Sequence, residues 1–156
     1  MYNDPKNPNV IELLKIDTFP LLISNMDVIL KTFHQNSQPI LELVLNSTFL
    51  TASECLVMAE NPQFENLRKL DLSCNPITAK GLLYLVHPTY SKLSEKLQFL
   101  SLFNCEIDHS QTFLISNEHL QNSQCNFNLK HLNLSHNNLG SFLNYICEFN
   151  LINPDL

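Results

Sequence analysis

Six histidines and five cysteines are the side chains best suited to chemistry in this 156-residue chain. They are His34, His87, His109, His119, His131 and His136, with Cys55, Cys74, Cys105, Cys125 and Cys147. Imidazole and thiolate together can bind zinc or act as a base and nucleophile. The spacing serves neither use. No C-x-x-C pair occurs, so the two-by-two ligand grouping of a structural zinc site is missing. Cys105 and His109 are four apart, but across a strand-to-turn boundary such side chains do not meet. No G-x-S-x-G, H-E-x-x-H or phosphate-loop pattern is present. The expectation is a non-enzymatic protein with no catalytic residue, no cofactor and no metal.

Composition narrows the partners. The formal net charge is −6, and Arg68 is the only arginine among nine cations. Binding to nucleic acid needs clustered cations interleaved with aromatics, and no such cluster stands in the sequence, so no nucleic-acid partner is expected. The cysteine count is odd, at spacings of 19, 31, 20 and 22 residues. That reads as reduced thiols inside a cell, not a disulfide framework. The stretch 1–10 is polar and lacks a basic region leading into an apolar core, so no secretory signal is expected. The most apolar stretch, Val10 to Leu30, contains Glu12, Lys15, Asp17, Pro20 and Asp27 and does not read as a membrane span. With 20 asparagines and two glycines, asparagine is expected to share the positive-φ positions that glycine normally takes.

The elements that must position these residues come from a period. Leu67-Arg-Lys-Leu70-Asp-Leu72-Ser-Cys-Asn75-Pro-Ile77 fits L-x-x-L-x-L-x-x-N-x-L at every fixed position. So does the segment from Leu129 through Leu132, Leu134 and Asn137 to Leu139. The segment from Leu97 to Ile107 fits with Cys105 in the asparagine slot. Segments from Ile40 and Ile11 keep the aliphatic positions with Thr48 and Phe19 in that slot. The starts, at 11, 40, 67, 97 and 129, are separated by 29, 27, 30 and 32 residues.

This pattern resembles the leucine-rich repeat. Returns long enough for a helix make it similar to the ribonuclease-inhibitor-like, helix-containing intracellular type. The resemblance implies an α/β solenoid: a short right-handed arc of about five repeats, with a parallel concave sheet and convex helices. Residues 1–10 are then an N-terminal polar extension, 11–140 the repeats, and 141–156 a capping helix and tail. Helices are expected at Leu22–Phe33, after the capping-box sequence Thr51-Ala-Ser-Glu54, over Ile77–Leu85, after Asp108-His-Ser-Gln111, and over Phe142–Phe149.

Alternation along each strand sends positions four and six to the core and positions three, five and seven outward. The slot residues Asn75, Cys105, Asn137 and Thr48 are expected to line a ladder of turns, satisfying backbone groups of neighbouring repeats. Phe19, without a side-chain hydrogen bond, suggests a distorted first repeat. Repeats stack about 5 Å apart, so Cys74 and His136, two repeats apart at position eight, stand roughly 10 Å from each other, too far to share one ion. The concave face is where the resemblance implies binding. Its expected contact residues are Glu42, Val44, Lys69, Asp71, Phe99, Ser101, Phe103, His131 and Asn133. Phe99 and Phe103 would be the anchors, and Lys69 and Asp71, two apart on one strand face, an ion pair of little energetic weight.

The expected function is protein–protein interaction, as a structural or adaptor subunit of a larger assembly. The alternative is a regulator of an enzyme such as a GTPase, acting through the concave face. The expected partners are proteins in a hetero-complex, without membrane insertion. The expected location is the cytoplasm, with a cytoskeletal or axonemal particle as a narrower form of that expectation.

Overall fold

The computed structural model describes residues 2–3, 11–18, 39–87, 90–93, 95–114 and 128–140. Within them one six-stranded sheet runs in chain order: β1 (Tyr2–Asn3), β2 (Ile11–Asp17), β3 (Ile40–Asn46), β4 (Lys69–Asp71), β5 (Phe99–Ser101) and β6 (His131–Asn133). β2 to β6 are all parallel to their neighbours. Their register follows the repeat alignment residue for residue: Leu13 pairs with Glu42, Glu42 with Lys69, Lys69 with Phe99, and Phe99 with His131. Part of the polar extension is structured, because β1 lies antiparallel on β2, with Tyr2 opposite Leu13.

The repeat leucines make the core. Ile40, Leu43, Leu45 and Leu50 of the second repeat are buried, as are Leu67, Leu70, Leu72 and Ile77 of the third and Leu97, Leu100, Leu102 and Ile107 of the fourth. Burying one such side chain contributes about 1.5–3 kcal/mol. Each aliphatic row is therefore the main energetic tie between one repeat and the next.

Helices return the chain on the other side. α1 (Ala52–Glu60) begins at the expected capping box. Thr51 Oγ1 accepts from the Ser53 N–H, and Glu54 Oε2 accepts from the Thr51 N–H at 2.7 Å. A 3₁₀ turn opened by proline follows at Pro62–Phe64. α2 (Thr78–Val86) has no cap from its own N-terminal residue. The next repeat supplies one: Gln111 Oε1 accepts from the Ala79 N–H at 2.8 Å. The expected helix after Asp108 is a 3₁₀ helix, His109–Leu114, as far as the described residues reach. The expected helices over Leu22–Phe33 and Phe142–Phe149 lie outside the described residues. α1 and α2 approach closely at Gly81, where an added Cβ would press on Ile77 Cγ2 and stand 3.3 Å from the Ala52 backbone.

Position eight of every repeat is left-handed. Thr18, Ser47, Cys74, Asn104 and His136 have φ between 53° and 61°. The first four donate their N–H to the position-seven carbonyl of the next repeat: Asn46, Ser73, Phe103 and Ser135, at 2.8–3.0 Å. The turn that brings the chain off the strand requires this conformation, whatever the side chain. The expectation for asparagine is thus mostly corrected: only Asn104 among the five is asparagine. Gly140 has φ +42°, whereas Gly81 sits within α2 for reasons of space.

Candidate binding face and turn ladder

The slot residues join successive repeats. Asn75, 1% exposed, accepts at Oδ1 from the N–H groups of Thr48 and Leu50, at 2.8 and 3.1 Å. Its Nδ2 donates to the carbonyls of Leu45 and Leu72, both at 2.7 Å. Asn137 repeats this two repeats later, accepting from Cys105 and Ile107 and donating to Leu102 and Leu134. Cys105 makes a weaker rung, its Sγ donating to the Leu72 carbonyl at 3.3 Å. Thr48 Oγ1 bonds the Leu45 carbonyl of its own repeat. Cys105 and Thr48 thus occupy the same slot with fewer bonds than the amides.

Burial pushes the Cys105 thiol up to about 11, and burial also raises the Cys55 thiol. Both are protonated near neutrality and unsuited to nucleophilic attack. His109 instead faces Asp108, with Nδ1 3.6 Å from Oδ1. Among the described residues no three His, Cys, Asp or Glu side chains come together as a metal site. Cys55, Cys74 and Cys105 are free thiols.

The outer sheet face presents its side chains in rows. Position three holds Leu13, Glu42, Lys69, Phe99 and His131 across five strands in register. Lys69 Nζ meets Glu42 Oε1 at 2.6 Å. This corrects the expected Lys69–Asp71 pair: Glu42 stands directly beside Lys69 across the sheet, about 4.8 Å away at the backbone, and takes its ammonium. Asp71 turns instead to its own turn and its neighbour, accepting from the Ser73 N–H at 3.0 Å and from Asn46 Nδ2 at 3.4 Å. Phe99 is half-buried, its ring 6.3 Å from that of His131.

In the next row stand Lys15, Val44, Asp71, Ser101 and Asn133. Val44 and Asn133 are half-buried. Ser101 is only 4% exposed, which removes it from the contact surface expected of it. Its short side chain sinks between neighbours, with Oγ 3.0 Å from Ser73 Oγ and 3.3 Å from Asn133 Nδ2. Phe103 lies beyond β5 in the turn, its ring 4.5 Å from that of His136. The two phenylalanines therefore belong to different places, Phe99 to the sheet face and Phe103 to the turn edge.

A groove of ≈ 720 Å³ runs along the start of the strands, lined by positions two and three. Position two contributes Glu12, Leu41, Arg68, Gln98 and Lys130, a row that strand alternation alone does not assign to this face. The sequence did carry a signal, since four of the five are polar or charged. Phe49 was also unforeseen. It is 63% exposed, with φ +60°, at the tenth position of the second repeat.

No helix among the described residues is long and apolar enough to cross a membrane. A family model described as the leucine-rich repeat matches residues 65–86 and 125–141. These spans contain the two repeats whose slot holds asparagine. A comparison with curated proteins found no match.

Proposed function

Because the chain is a leucine-rich repeat protein, a class of fold that generally serves protein–protein interaction, we propose that it is a non-enzymatic module whose outer sheet face takes up a protein partner. One observation carries this reading. Phe99 stands half-buried in the wall of an open groove, with a Lys69–Glu42 pair on one side and His131 on the other. A rigid aromatic with polar flanks is the composition of an interface anchor.

The finer role we propose is a structural or adaptor subunit of a larger assembly inside the cell. The free thiols of Cys55, Cys74 and Cys105 support a reducing compartment. The test is co-purification from the native cell at fixed stoichiometry, repeated with Phe99→Ala. Loss of the partner with an unchanged thermal midpoint supports the reading. Retention of the partner at full stoichiometry would overturn Phe99 as anchor. Phe103→Ala is the internal contrast, since it disturbs the turn rather than the groove.

A further inference from the structure

The groove has a charge order that the chain as a whole does not. Arg68, Gln98 and Lys130 occupy position two of three successive repeats, immediately beside Lys69, Phe99 and His131. Glu42 neutralises Lys69. Among the described residues, Arg68 and Lys130 make no ion pair, and both are exposed. The acidic end of the groove lies at the other side, where Glu12 and Glu42 stand on the first two repeats. A protein of net charge −6 thus keeps two uncompensated cations in one groove, on either side of the repeat that carries Phe99.

Resting on the reading of this face as a protein-binding surface, we propose that the groove over repeats three to five takes an acidic peptide segment. Its apolar residue packs against Phe99 and its two carboxylates reach Arg68 and Lys130. Two strand spacings separate those cations at the backbone, about 10 Å. A polyproline-II segment covers that distance in about three residues and brings side chains three apart onto one face. The motif is therefore two acidic residues three apart, with one of the residues between them apolar. Arg68 offers a forked guanidinium suited to a carboxylate, Lys130 a point charge, and Gln98 an amide between them. The same geometry disfavours a nucleic-acid strand: a continuous phosphate chain along the groove would meet Glu12 and Glu42.

The experiment selects short random peptides, displayed on phage, on the full chain. Selected peptides are then measured by fluorescence anisotropy on the wild type, Phe99→Ala and Arg68→Gln/Lys130→Gln. The expected peptides carry the paired acids. Their affinity falls about tenfold in the double glutamine variant, and falls again as salt rises to about 0.5 M. Peptides that bind through Phe99 without acidic residues would overturn this inference while leaving the protein-binding reading intact. Acidic peptides lost in the glutamine variant but indifferent to Phe99→Ala would support acid recognition and remove Phe99 as anchor. Failure to select any groove-dependent peptide, or displacement of selected peptides by polyuridylate RNA at equal concentration, would overturn the inference.

Discussion

The side-chain amide of Asn75 reaches back into the preceding repeat and accepts the Thr48 N–H at 2.8 Å. It also holds the Leu50 N–H and the carbonyls of Leu45 and Leu72. Alanine there would leave the Thr48 and Leu50 N–H groups without partners in a dry turn, and the Leu45 and Leu72 carbonyls with only the Thr48 hydroxyl and the Cys105 thiol. Each unpaired buried group costs about 1–3 kcal/mol, with partial relief by relaxation. Asn75→Ala should therefore destabilise by about 3–5 kcal/mol in urea unfolding. Asn137→Ala should cost distinctly less, because Asn137 is only half-buried and water can replace its amide. Equal losses for the two variants would refute this difference in solvent access.

The cysteine rung can be improved. Cys105 gives the Leu72 carbonyl one weak thiol bond at 3.3 Å. Asparagine in the same slot of the neighbouring repeats accepts two backbone N–H groups and donates to two carbonyls. Cys105→Asn should stabilise by about 1 kcal/mol net, after loss of the apolar thiol contacts. That corresponds to a thermal midpoint higher by about 2–4 °C for a chain of this size. A lower midpoint would mean that the slot is too tight for the amide.

The repeat period made the fold legible because one alignment determines which residues are lateral neighbours. The sheet register reproduces that alignment from Leu13 across to His131. The Glu42–Lys69 pair was readable by the same route, since both occupy position three of adjacent repeats; comparing residues along one strand obscured it. Three features were not readable. The left-handed residues at position eight follow from how the turn closes, and five different side chains obey it. Ser101 sinks because its neighbours in the row, Asp71 and Asn133, are larger, and Asn133 Nδ2 donates to its hydroxyl. Gln111 caps a helix of another repeat, 32 positions away. Of the site, the row through Phe99 was legible, but the position-two cations beside it lie outside the alternation rule.

Gly81→Ala separates packing from propensity. Within a helix interior, alanine is favoured over glycine by about 1 kcal/mol. Here the added methyl would press on Ile77 Cγ2, and would stand 3.2 Å from Cys55 Sγ and 3.3 Å from the Ala52 backbone. Overpacking of this kind typically costs about 1–3 kcal/mol. The steric cost exceeds the gain, so Gly81→Ala should lower the denaturation midpoint. A rise would show that α1 and α2 can separate without penalty.

Acid should act at Asp108. The Ser110 side chain and N–H, then the Asn138 amide at 2.6 Å, hold its carboxyl down at about 2, from an ordinary 3.8. A depressed carboxylate stabilises the fold above its unfolded value, and that contribution disappears as pH falls through the folded value. The window is therefore between about pH 4 and pH 2. Carboxyl carbon shifts followed by NMR should titrate near the lower end for Asp108. In Asp108→Asn the stability profile should be flatter across this window than in the wild type. A titration midpoint at the ordinary value would show that the Ser110 and Asn138 bonds do not form in solution.

Glycine at position eight tests the cost of the left-handed turn, and the five residues should respond unequally. A side chain in this conformation costs about 1–2 kcal/mol, and most for a β-branched residue such as Thr18, at φ 57°. Against that, glycine adds about 0.5–1 kcal/mol of chain entropy to be lost on folding. The difference favours Thr18→Gly by about 1 kcal/mol. Asn104→Gly should be close to neutral, because asparagine already tolerates the region. His136→Gly should gain little or lose, because it removes the ring 4.5 Å from that of Phe103. Chemical denaturation of the three variants should therefore rank Thr18→Gly above Asn104→Gly and Asn104→Gly above His136→Gly. If Thr18→Gly is destabilising, the positive φ at that position is not what limits the turn.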